Sequence, residues 1–366
     1  MKYNRAKAFD DKNRKKGIYR KEYYDNNDLD KKGNPKKKFK YYYSSNDNEV
    51  SKSDLDRINK LGLAPAYTNV WISIDPKSKI QATGFDAKNR KQYRYNPEHI
   101  IRANENKFLR LYKFIKVMPI LDSKINADIN SDQYSKNRVI AFMLLIVKEL
   151  NMRVGKEVYA RKNKSYGISS LKKTHVSIIS NDTIKFSFKG KSNKFVTYTL
   201  RNETIRNEII KLLNLEGEKL FQYQKDNNIL RVTDTDINQY IQSTIGKSFS
   251  IKDFRTYAAN FYFMKALLKA TQNRKPKNNS IIKKNLNDAQ TNTAFYLRHT
   301  KSISKKSYTM ALIREMYSNN PEWFIKNCKK DPLLILIKVL KSYRNIIKEK
   351  RKIKLNRLLN KNLFIL

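Results

Sequence analysis

At Pro97 the spacing of apolar residues along this chain changes from two to between three and four, and that single change limits the fold to two unlike parts. Before it, Tyr67-Thr68-Asn69-Val70-Trp71-Ile72-Ser73, Ile80-Gln81-Ala82-Thr83-Gly84-Phe85-Asp86 and Lys91-Gln92-Tyr93-Arg94-Tyr95 alternate or carry β-branched and aromatic residues, with turn chemistry at Asp75-Pro76 and Lys88-Asn89. After it, Ile100, Ile101, Phe108, Leu111, Tyr112 and Ile115 trace one helical stripe, and Val139 to Leu150 is apolar enough for a buried helix. The expected class is therefore α+β. A basic extension with a first strand over 1–45 reads as a mobile arm, followed by a small antiparallel β domain over 46–103. A larger, mainly helical domain spans 104–345, and a basic tail, 346–366, closes the chain.

Inside the helical part, Gly167–Leu171, Val176–Ile179, Ile184–Phe188 and Phe195–Leu200 read as short strands, with Gly190 and Ser192-Asn193 marking a tight turn between the last two. Helices resume near residues 203, 235, 254, 281 and 303, and a polar linker, Gln272–Asn279, precedes the segment that carries His299. No repeat is evident.

Charge narrows the partner. With 78 Lys+Arg against 33 Asp+Glu, the formal net charge is +45, far beyond what solubility requires, so a polyanion is expected and nucleic acid leads. No apolar run reaches the roughly 18 residues that would span a bilayer. The start, Met1-Lys2-Tyr3-Asn4-Arg5, lacks the apolar stretch of a secretory signal, and the lone Cys328 excludes an internal disulfide and any multi-cysteine zinc site. Lys, Asn and Ile recur throughout, as AT-rich codons would produce, so most single lysines carry no functional message.

One hydroxyl stands out among the cations. Tyr308 ends Ser304-Lys305-Lys306-Ser307-Tyr308, just after His299-Thr300-Lys301-Ser302. Moving a phosphodiester onto a tyrosine requires fixed donors for the extra negative charge of the transition state, a phenol poised for attack, and a proton for the departing alkoxide. Arg153, Lys191, Arg255 and His299 are the candidates for those services, and this chemistry needs no metal or other cofactor. Each has a plainer reading: Arg153 as a cation at a helix C-terminus, Lys191 as a solvated turn lysine, Arg255 in a surface ion pair beside Asp253, and Tyr308 as packing. His99, at the start of a helix, and His175, beside a strand, read as structural.

Taken in order, Arg153-Val154-Gly155-Lys156, the Lys191 hairpin, Lys252-Asp253-Phe254-Arg255-Thr256-Tyr257 and His299 through Tyr308 resemble the small type IB DNA topoisomerases of the poxvirus and giant-virus type. The resemblance extends to Pro65–Ile72 and Gln81–Tyr93 in the β domain and covers about residues 60 to 310. It implies that Tyr308 forms a 3′-phosphotyrosyl link, that the cut strand rotates, and that its 5′-hydroxyl reseals it without ATP or metal. It further implies that Arg153, Arg255 and His299 hold the nonbridging oxygens while Lys191 protonates the leaving oxygen. Gln92, Tyr93 and Tyr95 would touch duplex DNA from the β domain, and Lys156, Tyr159 and Lys252 from the catalytic one, with the two domains closing as a clamp.

The resemblance also implies action as a monomer on viral DNA, in the virion and in the infected cell, at a pyrimidine-rich cleavage site. One departure is Arg298, where the family commonly has glycine; the first 45 residues and the tail past about 345 find no counterpart. Two alternatives stand beside this reading. A tyrosine recombinase shares the fold and a related pentad, but usually has histidine where Lys252 stands. A noncatalytic DNA-binding or packaging protein would use the charge alone.

Overall fold

The computed structural model describes residues 16–131 and 135–362, with side chains described through Ile353, and it separates into one unit ending at Asn106 and another beginning at Lys107. The first fifteen residues of the expected extension lie outside the described residues.

The first unit is built on one antiparallel sheet of strands β1 (Ile18–Leu29), β2 (Pro35–Tyr43), β3 (Thr68–Ile72), β4 (Ile80–Phe85) and β5 (Lys91–Tyr95), in the order β2-β1-β3-β4-β5. What reads as an arm with one strand is thus two strands, paired from Ile18↔Tyr43 to Asp25↔Lys36. The ladder from β1 to β3 comprises Ile18↔Ile72 and Tyr19↔Trp71, so the distal part of the hairpin is a two-stranded ribbon. Helix α1 (Lys52–Lys60) begins where the Ser51 hydroxyl accepts the Asp54 amide, and it packs Ile58 against Ile18, Val70, Ile72 and Ala82. Gln81 is structural: 2% exposed, it donates to the carbonyls of Asp75, Pro76 and Ser78 and accepts from Arg57, which also binds the Ser73 carbonyl.

The second unit takes in helix α2 (Pro97–Ile129) from Lys107 onward, then α3 (Lys136–Leu150), α4 (Glu157–Asn163), α5 (Glu203–Asn214), α6 (Asp234–Ile245), α7 (Ile251–Asn273), α8 (Asn279–Tyr296), α9 (Ala311–Asn319), α10 (Pro321–Asn327) and α11 (Pro332–Asn362). A three-stranded sheet, β6 (Val176–Ile178), β7 (Thr183–Lys189) and β8 (Phe195–Arg201), and a hairpin, β9 (Gln222–Lys225) with β10 (Asn228–Arg231), interrupt them. One core joins the later part of α2, α3, the sheet, α5, α6 and the start of α7; a second joins the earlier part of α2, the later part of α7, α8, α9 and α11. Helix α7 contributes to both, so residues near its start lie where the two cores meet.

Three expectations change. Gly167–Leu171 is a 3₁₀ turn over Ile168–Ser170 rather than a strand, because Gly167 packs its backbone directly on Gly155; a Cβ on Gly155 would lie 2.7 Å from the Gly167 nitrogen. The linker before α8 shortens to 274–278 and is pinned where the Arg274 carbonyl accepts the Asn285 amide at 3.0 Å and its guanidinium meets Asp288. The basic tail continues α11 as helix to Asn362.

Candidate active site

Each candidate side chain is presented by a local device that the sequence encodes. Helix α3 ends on Asn151 in the left-handed conformation (φ 51), and Gly155 (φ 76) then folds the chain back, so the Arg153 carbonyl accepts Ile168 N–H at 2.9 Å and the Val154 carbonyl accepts Ser169 N–H at 2.8 Å. Arg153 is thereby held on a short loop clamped against the 3₁₀ turn. Lys191 sits exposed in the β7–β8 turn, where Ser192 (φ 63) and Asn193 (φ 59) are both left-handed and Gly190 N–H donates to the Lys194 carbonyl at 2.8 Å. Ser165 Oγ and Tyr166 N–H fasten that turn to the Gly190 and Lys189 carbonyls.

Arg255 lies in the first turns of α7 and is 5% exposed. Its Nη1 donates to the Asn151 carbonyl and its Nη2 to the Leu297 carbonyl at 2.8 Å, while Nε has no partner. It is not in a surface ion pair: its acceptors are neutral, and among the described residues no carboxylate balances its charge. Burial, then the neighbouring Arg153, pulls its pKa below the usual guanidinium value, yet an arginine remains charged. Asp253 does not orient Arg255; it caps α7 by accepting Ser250 N–H at 2.9 Å and takes the Arg110 guanidinium at 2.8 Å.

His299 and Tyr308 meet face to face, ring centroids 4.9 Å apart and planes at 23°. Tyr308 ends a π-helical turn, Ser304–Tyr308, closed by Thr309 N–H on the Ser304 carbonyl at 3.0 Å. The Arg255 guanidinium carbon is 5.7 Å from the Tyr308 ring centroid. Burial alone would raise the phenol's pKa, but Arg255, then Arg153 and Lys191, outweigh it and bring the group below the ordinary tyrosine value. Burial, with repulsion from Arg255 and Arg153, pushes His299 down to about 4, so the imidazole is neutral near pH 7. Both its nitrogens are buried without a hydrogen-bond partner. Unpaired buried donors around a half-buried phenol describe a place prepared for an anion.

The structure therefore brings Arg153, Lys191, Arg255, His299 and Tyr308 into one electrostatic cluster. The other candidates are arranged differently. Lys156 is exposed at the N-terminus of α4, 4.0 Å from Asp234, and Tyr159 on the same helix is 53% exposed. Lys252 is exposed at the start of α7. In the first unit, Tyr93 and Tyr95 are each 40% exposed and stack at 5.9 Å, while Gln92 donates to Asp86 at 2.9 Å. His175 packs edge-on to Tyr166 at 4.4 Å and accepts the Lys172 amide, and His99 lies against Tyr95.

Sequence reasoning overlooked the residues that hold the Tyr308 backbone. Asn260, fully buried one turn after Arg255, donates to the Tyr308 carbonyl at 3.1 Å and accepts Met310 N–H at 2.8 Å. Lys107 donates to the Ser307 carbonyl at 3.1 Å, its pKa pushed down to about 8 by burial and by Lys252 and Arg110. Gln290 bridges the hydroxyls of Ser304 and Thr309. A polar amide between Ala259 and Phe261 was the available signal for Asn260; Lys107 offered none.

Comparison with known proteins comes from the whole chain. Residues 88–331 match the family model described as eukaryotic DNA topoisomerase I, catalytic core, and residues 38–86 match bacterial DNA topoisomerase IB, N-terminal domain. The chain is 51% identical over 342 residues to DNA topoisomerase 1B of Acanthamoeba polyphaga mimivirus, covering 92% of this chain and 98% of that protein. It is 28% identical over 256 residues to DNA topoisomerase I of Monkeypox virus and to DNA topoisomerase 1B of Vaccinia virus (strain Copenhagen), covering 68% of this chain and 76% of each relative.

Proposed function

The chain belongs to the type IB DNA topoisomerases, a family of isomerases, and from that premise we propose that it relaxes supercoiled duplex DNA by transesterification through Tyr308. The phenolate oxygen attacks a backbone phosphorus, the bond from phosphorus to the 5′-oxygen breaks, and the DNA is held as a 3′-phosphotyrosyl ester. Lys191 supplies the proton that the departing 5′-oxygen takes up. Arg153, Arg255 and His299 donate to the nonbridging oxygens, where negative charge grows in the transition state. The free 5′-hydroxyl end rotates about the intact strand and then attacks the ester in reverse. One phosphoester is exchanged for another at each step, so the cycle balances without ATP, and the protein's own cations supply the charge stabilisation.

What carries this reading is the Tyr308 environment: a stacked imidazole with two unpartnered nitrogens, and an arginine that donates to neutral carbonyls and has no carboxylate partner among the described residues. Exposed Lys156, Tyr159 and Lys252 on the catalytic unit, and Gln92 with the stacked Tyr93 and Tyr95 on the β unit, are the proposed contacts to duplex DNA. One chain acts on one duplex. The relatives come from viruses, which supports a role on viral DNA in the virion and in the infected cell.

A nicked suicide duplex tests the assignment. The expected result is a covalent adduct, formed in EDTA without ATP, whose DNA-linked peptide contains Tyr308. Tyr308→Phe loses the adduct and retains noncovalent binding. An adduct on any other residue, or none from the unaltered protein, sinks the proposal.

A further inference from the structure

Arg298 occupies a backbone position that suits it poorly. It lies at φ 48, the left-handed region that glycine enters freely and a long L side chain enters at a cost. The conformation is what ends α8: Arg298 N–H bonds the Phe295 carbonyl and His299 N–H reaches back to the Ala294 carbonyl, both at 3.1 Å, which turns His299 onto Tyr308. Glycine would make the same turn without strain, so the side chain must have another use.

That side chain crosses to the sheet. Its guanidinium carbon is 4.5 Å from the ring centroid of Tyr198, a β8 residue that is 4% exposed. The two ends of this contact belong to separate packing groups. Leu297, beside Arg298, packs in a small cluster with Ala258, Ala259, Tyr262 and Tyr308, whereas Tyr198 belongs to the larger core with Phe186 and Phe188. The same β7–β8 hairpin carries Lys191 in its turn. Tyr198 also lies within electrostatic reach of Arg255. A cation held over a buried aromatic face is a directional contact, able to set a distance between two elements.

We propose that Arg298 is a positioning residue: its guanidinium, seated on Tyr198, sets the turn that presents His299 and Tyr308 against the hairpin that presents Lys191. The inference rests on the transesterification reading above. In that reaction Tyr308 attacks one phosphorus from the side opposite the oxygen that Lys191 protonates, while His299 holds a nonbridging oxygen between them, so the separation of the turn and the hairpin must be held closely, and a small displacement is expensive in rate. Arg298 itself touches no reacting atom.

Arg298→Gly is the informative variant, because glycine keeps the turn and deletes only the side chain. Single-turnover adduct formation on the suicide duplex is expected to slow by roughly ten- to a hundredfold, with noncovalent DNA affinity and its salt dependence unchanged within about twofold. Arg298→Lys, which keeps a cation for the ring, is expected to fall between Arg298→Gly and the unaltered protein. Tyr198→Leu should slow the reaction similarly, and adding Arg298→Gly to it should cost little more, since both remove one contact.

Three results overturn the inference. Adduct formation by Arg298→Gly at the unaltered rate shows that the contact positions nothing. Weakened affinity with a shallower salt dependence, at an unaltered saturating rate, assigns Arg298 to a DNA phosphate instead. Arg298→Lys no better than Arg298→Gly removes the cation–aromatic basis. Failure of the unaltered protein to form any adduct is a separate outcome, which defeats the functional reading itself.

Discussion

The β1–β2 hairpin and the Tyr308 cluster use the same residue types, tyrosine and strong cations, in opposite ways. In β2 of the hairpin the lysines have carboxylate partners: Lys36 meets Asp28, Lys37 meets Glu22, Lys38 meets Asp25 at 2.7 Å, and Lys40 meets Glu49 at 3.0 Å. Around Tyr308, Arg153, Lys191 and Arg255 have no carboxylate partner among the described residues, and Arg255 spends its donors on backbone carbonyls. A paired lysine is already neutralised and gains little from a phosphate. An unpaired cation in a partly buried site leaves the counterion role to the substrate, and the surrounding low dielectric makes that interaction strong. Net charge counts both kinds alike, so +45 overstates the charge available for chemistry.

The largest effect should come from the most buried of the unpaired cations. Arg255→Ala is expected to slow adduct formation by about 10²–10³-fold, the usual loss when a fixed donor to transition-state charge is removed. It also strands the Asn151 and Leu297 carbonyls, which costs about 1–3 kcal/mol of stability for a buried group left unpaired. Single-turnover kinetics and denaturant unfolding measure the two separately. A rate loss under tenfold would break the distinction between paired and unpaired cations.

Next comes the scaffold of Arg153. Gly155→Ala places a methyl 2.7 Å from the Gly167 nitrogen at φ 76, where backbone cannot yield easily. A stability loss of about 2 kcal/mol or more is expected from the combined strain and clash. The slower adduct formation that accompanies it would be due to a displaced Arg153 rather than a missing one. Unfolding at the unaltered midpoint would show that the two loops part without cost.

His299 gives a smaller, pH-dependent effect. Its native pKa lies near 4, below the ordinary 6.5, so between those values the unfolded chain binds more protons than the folded one. Stability from this group is therefore present above about pH 6.5 and is lost as pH falls through about 4. His299→Gln should flatten that part of the stability profile, measured by denaturant midpoints from pH 4 to 7. A bound phosphodiester supplies the missing acceptor, so NMR titration of the imidazole should show its pKa rise on DNA. A profile equally steep in His299→Gln would place the titration elsewhere.

How much of this was readable beforehand follows the range of the interactions. The Lys191 turn was legible because its left-handed positions, Ser192 and Asn193, follow Gly190 within four residues. Helix α3 was legible because nearly every residue from Val139 to Val147 is apolar and buried. The β1–β2 hairpin was not, because its strands are polar on both faces and are held by cross-strand pairs such as Tyr19 on Tyr42 and Lys38 with Asp25, which neither strand displays alone. The 3₁₀ turn at Ile168 depends on a backbone approach between Gly155 and Gly167 that composition cannot announce. In the site, the chemical groups were legible by type and order. Their supports were not: Asn260 meets the Tyr308 carbonyl across 48 residues and Lys107 meets that of Ser307 across 200.

The smallest expected effects test the hairpin directly. Lys38→Ala removes a lysine bound to two carboxylates, at 2.7 and 3.1 Å, whereas Lys156→Ala removes one whose nearest carboxylate is 4.0 Å away. Each lysine that neutralises a phosphate contributes about 0.9 to the slope of log affinity against log salt. Lys156→Ala should therefore lower that slope by about 0.9. Lys38→Ala should leave the slope unchanged within error and move Tm by less than about 2 °C, as exposed pairs contribute little. Fluorescence anisotropy on a duplex at several salt concentrations reads both. If Lys38→Ala lowers the slope as much as Lys156→Ala does, the hairpin lysines exchange their carboxylates for phosphate when DNA arrives. Pairing in the free protein would then no longer mark which cations the DNA uses.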